Sequence, residues 1–182
     1  MKNAVLVIDV QQGLCEGTGA AFDCAGTIDR INLVTRHARE MGAPVIFVQH
    51  ESESGYLLYK TDAWQLADGI EVGPADLFVR KTTPDSFLKT DLELLLKKFQ
   101  VEVLVICGMH TEFCVDTTTR RALALGFPVI LVSDAHTTAG NTTLSPQQVI
   151  AHHNTTLANI SSFGPRVSAV PSKDVRLAQP DR

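Results

Sequence analysis

Residues 4 to 10 read Ala-Val-Leu-Val-Ile-Asp-Val, a short apolar run that contains one carboxylic acid. Similar runs rich in Val, Ile and Leu recur at residues 44–48, 76–79, 101–107, 128–133 and 166–170. They lack the in-out alternation of half-exposed strands, which is typical of parallel strands covered on both faces. The runs therefore predict six strands in a buried, mostly parallel sheet.

Helical segments separate these runs. Periodicity or capping sequences indicate helices within residues 27–41, 90–99, 112–126 and 145–160. Thr27 is the candidate cap of the first helix, Thr90 opens the second with a capping box, and Ser145 opens the fourth with another. Strands that alternate with helices imply right-handed crossovers. We therefore predict an α/β fold, a Rossmann-like three-layer α/β/α sandwich with a central six-stranded sheet, formed by residues 1–182 as a single domain.

Composition excludes several classes of partner. The chain carries 16 Lys+Arg against 20 Asp+Glu, a formal net charge of -4, and has no basic run, so we expect no nucleic-acid partner. The apolar runs are far shorter than the ~20 residues that span a bilayer, so we expect no membrane partner. Asp9 interrupts the first apolar run before it could act as a signal-peptide core, which favours a cytoplasmic location.

Four cysteines, Cys15, Cys24, Cys107 and Cys114, form neither a CxxC pair nor a zinc-ligand spacing. In a reducing compartment we expect all four to be free thiols. Cys107 lies inside an apolar run, where cysteine acts as a small hydrophobic residue.

Residues 50–75 lack clear periodicity and include Tyr and Trp residues. Loops of this length are often lids or interfaces. We therefore expect a lid or an interface here, and a homodimer or higher homo-oligomer in which its aromatic residues cover a neighbouring active site.

Polar residues follow several predicted strands, at the edge where ligands bind in open α/β sheets. Asp9 ends the first strand, His50 the second, Lys81 follows the third, and residues 108–116 follow the fourth. An acid between two apolar residues loses water and requires a partner. Lys81 alone resembles a surface lysine and becomes informative only beside a carboxylate. Cys114 lies where a helix should begin, and a helix N-terminus favours a thiolate.

Cofactor motifs are missing from the sequence. Gly13, Gly17 and Gly19 after the first strand do not fit GxGxxG, and neither GxxxxGK[ST] nor HExxH occurs. The sequence therefore predicts neither a nucleotide cofactor nor a metal.

Three ordered motifs carry a family resemblance. They are Val-Leu-Val-Ile-Asp-Val-Gln-Gln-Gly at residues 5–13, Val-Arg-Lys-Thr-Thr-Pro-Asp-Ser-Phe at 79–87 and Gly-Met-His-Thr-Glu-Phe-Cys-Val-Asp-Thr-Thr-Thr-Arg at 108–120. In this order and spacing they resemble the isochorismatase-like cysteine hydrolases, and the similarity covers nearly the whole chain. The resemblance implies the isochorismatase-like hydrolase fold and a triad of Asp9, Lys81 and Cys114, with Cys114 as nucleophile and Asp9 as its base.

The resemblance also implies a non-proline cis peptide between Met109 and His110, with the backbone N–H groups of His110 and Cys114 as an oxyanion hole. It further suggests a substrate pocket with His50 as a polar group and several neighbouring side chains: Gln11, Trp64, Phe87 and Phe113. Trp64 and Phe87 would be apolar walls, although core packing is an equal alternative for Phe87.

Departures from the family pattern select a subgroup. Isochorismatases that cleave a vinyl ether typically lack the nucleophilic cysteine, whereas Cys114 is present here. Nicotinamidases carry an Asp-x-His metal motif after the second strand, whereas residues 49–52 read Gln-His-Glu-Ser and leave only His50 as a ligand. The resemblance thus favours a cofactor-free cysteine hydrolase that cleaves a C–N bond of a small molecule through a thioester. Ether hydrolysis, nicotinamidase activity, and a thiol-based redox sensor or ligand-binding protein are the alternatives.

Overall fold

The computed structural model describes residues 1–177. Their strands form one six-stranded sheet in the order β3-β2-β1-β4-β5-β6, and every neighbouring pair is parallel. The strands are β1 (Asn3–Ile8), β2 (Val45–His50), β3 (Leu77–Lys81), β4 (Val103–Met109), β5 (Val129–Thr137) and β6 (Val167–Val170). The helices are α1 (Gln12–Cys15), α2 (Cys24–Glu40), α3 (Leu92–Lys98), α4 (Asp116–Ala124) and α5 (Pro146–Asn159). The predicted three-layer fold is confirmed, and the sheet is parallel throughout.

Strand β1 explains why the first run lacks alternation. All six of its residues are buried. Val5 and Val7 belong to the core cluster that also contains Ile31 of α2, whereas Leu6 belongs to the opposite cluster, with Leu96 of α3. Because apolar helices cover both faces, inward and outward positions are equally apolar.

Two of the predicted helix starts are wrong, and one is confirmed. Ser145 forms the expected capping box, in which its hydroxyl accepts from the Gln148 backbone N–H. Thr90 does not form one: its hydroxyl donates to the Ser86 carbonyl and accepts from the Leu92 N–H at 3.3 Å, but α3 begins only at Leu92, after Asp91. Helix α2 begins at Cys24, so Thr27 lies inside it instead of capping it.

The segment after β4 also differs from the prediction of one helix starting near Glu112. A π-helical turn, Thr111–Val115, precedes the regular helix α4. Extra residues in such a turn change the direction of side chains, and π-helical turns are frequent at functional sites. The turn contains Cys114.

Cys15 and Cys24 form a disulfide, which corrects the prediction that all four cysteines are free. Helix α1 ends at Cys15 and α2 begins at Cys24, and the intervening loop brings their Cα atoms within 5.7 Å, a normal separation for a disulfide. Within the described residues, Cys107 and Cys114 are the free cysteines.

Residues 51–76 connect β2 to β3 and contain one short 3-10 helix, Asp62–Trp64. Leu66 of this connection forms an isolated bridge with Gln11, directly after β1. The connection thus reaches the carboxyl end of the sheet, beside the end of β1. Among the helices of residues 1–177, none combines the length and apolar composition of a membrane span.

Candidate active site

The carboxyl ends of adjacent strands place the predicted site residues together. Lys81 is the last residue of β3, and Asp9 directly follows β1. Strand β2 lies between them in the sheet. Asp9 has a left-handed backbone with φ 51°, and its N–H donates to the Val48 carbonyl at 2.8 Å, which fixes the acid against β2.

Lys81 connects Asp9 to Cys114. Its ammonium donates to Asp9 Oδ2 at 2.7 Å, to the Thr83 carbonyl at 3.1 Å and to Cys114 Sγ at 3.2 Å. The Asp9 and Lys81 side chains are almost fully buried, so this pair has lost its water and depends on these contacts. Within residues 1–177, the other carboxylate oxygen, Asp9 Oδ1, is buried and has no hydrogen-bond partner.

The environment of Cys114 keeps its thiol protonated. Burial first, and then the negative charge of Asp9, raise the pKa of Cys114 to about 12, and the opposing effect of Lys81 is smaller. The expectation that a helix N-terminus favours the thiolate therefore does not describe the resting site. Because the thiol holds its proton, any reaction at sulfur requires a base that accepts the proton as the bond forms.

His50 is held beside Lys81, and Gln11 holds His50. The His50 Nδ1 atom lies 3.4 Å from Lys81 Nζ. Gln11 is completely buried; its Oε1 accepts from the His50 N–H, and its Nε2 donates to the His50 and Trp64 carbonyls, each at 2.9 Å. The oxygen and the nitrogen of the Gln11 amide are therefore both hydrogen-bonded to backbone groups. Gln11 positions His50 and Trp64 instead of facing a ligand.

A cavity of about 220 Å³ lies over these groups. Eight residues line it: Asp9, Leu14, His50, Tyr56, Leu57, His110, Phe113 and Cys114. Of the predicted pocket residues, His50 and Phe113 line this cavity, and Gln11, Trp64 and Phe87 do not.

Trp64 and Phe87 pack elsewhere for identifiable reasons. The Trp64 ring contacts Tyr59 edge-on, with ring centroids 4.8 Å apart. Phe87 is buried in the apolar cluster of α3 and α4, where it stacks on Phe127 at 6.4 Å. Core packing, the alternative for Phe87, is what the structure contains.

The backbone before Cys114 has two special features. The peptide between Met109 and His110 is cis. Gly108 has φ +121°, and a Cβ atom there would lie 2.1 Å from the Ile8 carbonyl oxygen. Only glycine therefore permits β1 and β4 to approach this closely at the point where Asp9 and the cysteine turn leave the sheet.

The sequence did not reveal several residues of the site. Leu14, Tyr56 and Leu57 line the cavity, and the Thr83 carbonyl accepts from Lys81. Tyr56 and Leu57 belong to the excursion that was predicted to be a lid or an interface, but the absence of periodicity left no signal for individual residues.

Within residues 1–177, no three His, Cys, Asp or Glu side chains are grouped closely enough to hold a metal ion.

Comparison with known proteins gives the family. Residues 3–163 match the Isochorismatase domain model. The chain belongs to the isochorismatase family. Curated relatives that it matches include proteins named as hydrolases. A solved structure described as an isochorismatase family protein superimposes with a TM-score of 0.84 and 35% identity, over 92% of this chain and 97% of that one.

Curated relatives with assigned activities include two kinds of hydrolase. A streptothricin hydrolase of Streptomyces noursei is 39% identical over 136 residues, which is 74% of this isochorismatase-family chain and 49% of the relative. The chain thus spans about half the length of that protein. A ureidoacrylate amidohydrolase, RutB, of Methylobacterium radiotolerans is 27% identical over 98% of this chain and 80% of its own length.

Proposed function

We propose that this protein is a cysteine amidohydrolase that cleaves a C–N bond in a small amide or carbamoyl compound, with Asp9, Lys81 and Cys114 as its triad and no cofactor. The supporting observation is that the Lys81 ammonium contacts both a carboxylate and a thiol, at 2.7 Å and 3.2 Å, beneath a cavity. A buried ion pair beside a free cysteine is unusual for a purely structural role, because it carries a desolvation cost.

In the first half of the proposed reaction, Cys114 Sγ attacks the substrate carbonyl carbon. The thiol proton passes to Asp9, whose Oδ1 has no partner among the described residues. We assign the backbone N–H groups of His110 and Cys114 to the oxyanion that forms on the carbonyl oxygen. Asp9 then gives the proton to the leaving nitrogen, the C–N bond breaks, and an acyl thioester on Cys114 remains.

In the second half, water replaces the amine. Asp9 takes a proton from this water, the resulting hydroxide adds to the thioester carbonyl, and the C–S bond breaks. The sulfur recovers the proton, and a carboxylic or carbamic acid leaves. Lys81 remains charged throughout; it holds Asp9 in place and stabilises negative charge on sulfur while the C–S bond forms and breaks.

The raised pKa of the Cys114 thiol distinguishes this proposal from a redox sensor. Thiols that sense peroxide are exposed and have a low pKa, because the thiolate is the species that is oxidised. Here burial raises the pKa of the Cys114 thiol to about 12. A protonated thiol beside a carboxylate suits a nucleophile that is activated only when substrate binds.

The relatives support amide chemistry. The ureidoacrylate amidohydrolase is named for hydrolysis of a C–N bond, and it aligns with nearly all of this chain.

A cytoplasmic location and a homodimer or larger homo-oligomer remain predictions. Light scattering of the purified protein tests the oligomeric state.

The test combines a substrate screen with cysteine variants. Ammonia release is measured with acetamide, benzamide, nicotinamide, N-carbamoylglycine and ureidoacrylate. Cys114→Ala and Cys114→Ser should each abolish turnover and leave the circular dichroism spectrum unchanged. Cys107→Ala is the matched control, because Cys107 is a buried cysteine in the core of β4, and it should retain activity.

Mass spectrometry of the intact protein during turnover should detect a substrate-derived thioester. Turnover retained in both Cys114 variants would refute the proposal. Hydrolysis of isochorismate without an adduct would favour the ether-hydrolase alternative. Rapid oxidation of Cys114 by peroxide, with no amide hydrolysed, would favour the sensor.

A further inference from the structure

The cavity wall offers no cation to a substrate carboxylate. Among residues 1–177, no lysine or arginine lines the cavity, and Asp9 is its only carboxylate. Burial lowers the pKa of His50, with a further contribution from Lys81, and burial also lowers the pKa of His110. Both imidazoles are therefore neutral at neutral pH.

Lys81 lies close to the cavity, but its hydrogen-bond donors are engaged. An ammonium group has three N–H donors. Those of Lys81 have acceptors at Asp9 Oδ2, the Thr83 carbonyl and Cys114 Sγ, at 2.7, 3.1 and 3.2 Å. A substrate anion could bind Lys81 only by displacing one of these buried contacts.

The charge in the cavity wall is that of Asp9, because its ion-pair partner Lys81 is not among the lining residues. Asp9 Oδ1 is buried without a partner among the described residues, and the Glu112 carboxylate acts electrostatically on His110 in the cavity wall. Glu112 accepts a hydrogen bond from the Thr138 hydroxyl, a neutral donor, at 2.8 Å. A carboxylate that enters the cavity would therefore meet the Asp9 carboxylate, with no lining cation to offset the repulsion.

The rest of the cavity wall includes four large apolar or aromatic side chains, two of which are exposed to solvent. Leu14 and Leu57 are buried lining residues, whereas Tyr56 and Phe113 line the same cavity with 61% and 58% of their surface exposed. Phe113 immediately precedes Cys114. Exposed aromatic side chains provide a rigid apolar area that a ligand can cover at low entropic cost.

We propose that this site selects uncharged amides with an apolar or aromatic substituent, which packs against Tyr56 and Phe113, and that it rejects substrates bearing a carboxylate. The inference rests on the proposed function, because it takes Cys114 as the group that meets the substrate carbonyl. It separates this chain from an enzyme such as a ureidoacrylate amidohydrolase, whose named substrate carries a carboxylate.

Alkylation of Cys114 tests the selectivity without requiring turnover. Iodoacetamide and iodoacetate differ only in the neutral amide and the carboxylate; with each, an S–C bond forms, iodide leaves, and the thiol loses its proton. Rates at Cys114 are followed by peptide mass spectrometry and divided by the rates with glutathione. We expect the normalised preference for iodoacetamide to be at least about tenfold, and N-benzyliodoacetamide to react faster still.

Variants of the wall supply the second measurement. Tyr56→Arg should raise the rate with iodoacetate and reduce the preference severalfold. Leu94→Arg, on the exposed face of α3, adds the same charge away from the cavity and should leave the preference unchanged. Tyr56→Ser and Phe113→Ser should each remove the advantage of the benzyl reagent.

The outcomes separate this inference from the proposed function. A normalised preference within about twofold of glutathione would refute the charge selectivity, and an unchanged benzyl advantage in both Ser variants would refute the apolar subsite. Either result leaves the loss of turnover in Cys114→Ala, and hence the amidohydrolase proposal, unaffected. Conversely, retained turnover in the Cys114 variants would refute the amidohydrolase even if alkylation shows the expected selectivity.

Discussion

Replacing Lys81 with Met should destabilise the protein strongly, because it leaves the buried Asp9 carboxylate without its ion-pair partner. The two side chains are 0% and 2% exposed, and the pair is joined at 2.7 Å. Asp9 Oδ1 already lacks a partner within the described chain, so Lys81→Met would leave both oxygens of a buried acid without their charged donor. Removing one partner of a buried ion pair costs about 3–5 kcal/mol.

This cost translates into a measurable change in urea denaturation. With a slope of about 2–3 kcal/mol per molar, the midpoint should fall by about 1–2.5 M urea. Asp9→Asn should cause a loss of similar size, because it leaves the Lys81 ammonium buried and unpaired. The double variant, Asp9→Asn with Lys81→Met, removes both charges and should be more stable than either single variant.

The assay is urea unfolding followed by circular dichroism for the native protein, both single variants and the double variant. Lys97→Met is the control, because Lys97 forms its 2.6 Å ion pair with Glu93 on the surface of α3, and solvent screens that pair. Its midpoint should barely move. If the double variant loses as much stability as the two single variants added together, Asp9 and Lys81 do not compensate each other, and the electrostatic account of the site is wrong.

Two further predictions concern buried polar groups. Gln11→Met removes the side-chain partners of the His50 N–H and carbonyl and one of the two donors to the Trp64 carbonyl. We therefore expect a higher KM and a stability loss of about 1–3 kcal/mol in urea, and unchanged values of both would contradict its positioning role. Burial lowers the pKa of His136 to about 4. As the pH falls, His136 therefore binds a proton more readily in the unfolded chain than in the folded protein. When the pH is lowered from about 7 to about 5, the free energy of unfolding should fall by about 2 kcal/mol more for the native protein than for His136→Gln. Equal pH slopes for the two proteins would contradict this prediction.

The sequence predicted the sheet and the residues at its carboxyl edge because both depend on local patterns. Apolar runs locate strands, and the ends of parallel strands meet at one edge, so Asp9, His50 and Lys81 could be placed near each other before the structure was known. Ser145 is a similar case, since its capping box depends on residues only three positions apart.

The features that the sequence did not predict depend on how the chain is placed in three dimensions. The Thr90 hydroxyl donates to the Ser86 carbonyl and accepts from the Leu92 N–H at 3.3 Å, but it does not form the predicted capping box. Cys15 and Cys24 become neighbours only when α1 and α2 are placed. Gln11 was predicted as a pocket residue. Its side-chain amide instead donates hydrogen bonds to the backbone carbonyls of His50 and Trp64, which are distant in the sequence. Such competition for hydrogen bonds is decided by tertiary structure.

The reacting groups and the wall around them belong to structurally different parts of the chain. Asp9 and Lys81 are anchored to the ends of β1 and β3, whereas Tyr56 and Leu57 lie in the connection between β2 and β3. Loops tolerate sequence change and insertion far better than buried strands. Replacement of residues 51–76 can therefore alter the wall of the cavity while the contact between Asp9 and Lys81 is conserved, a modular arrangement in which the two parts can change independently.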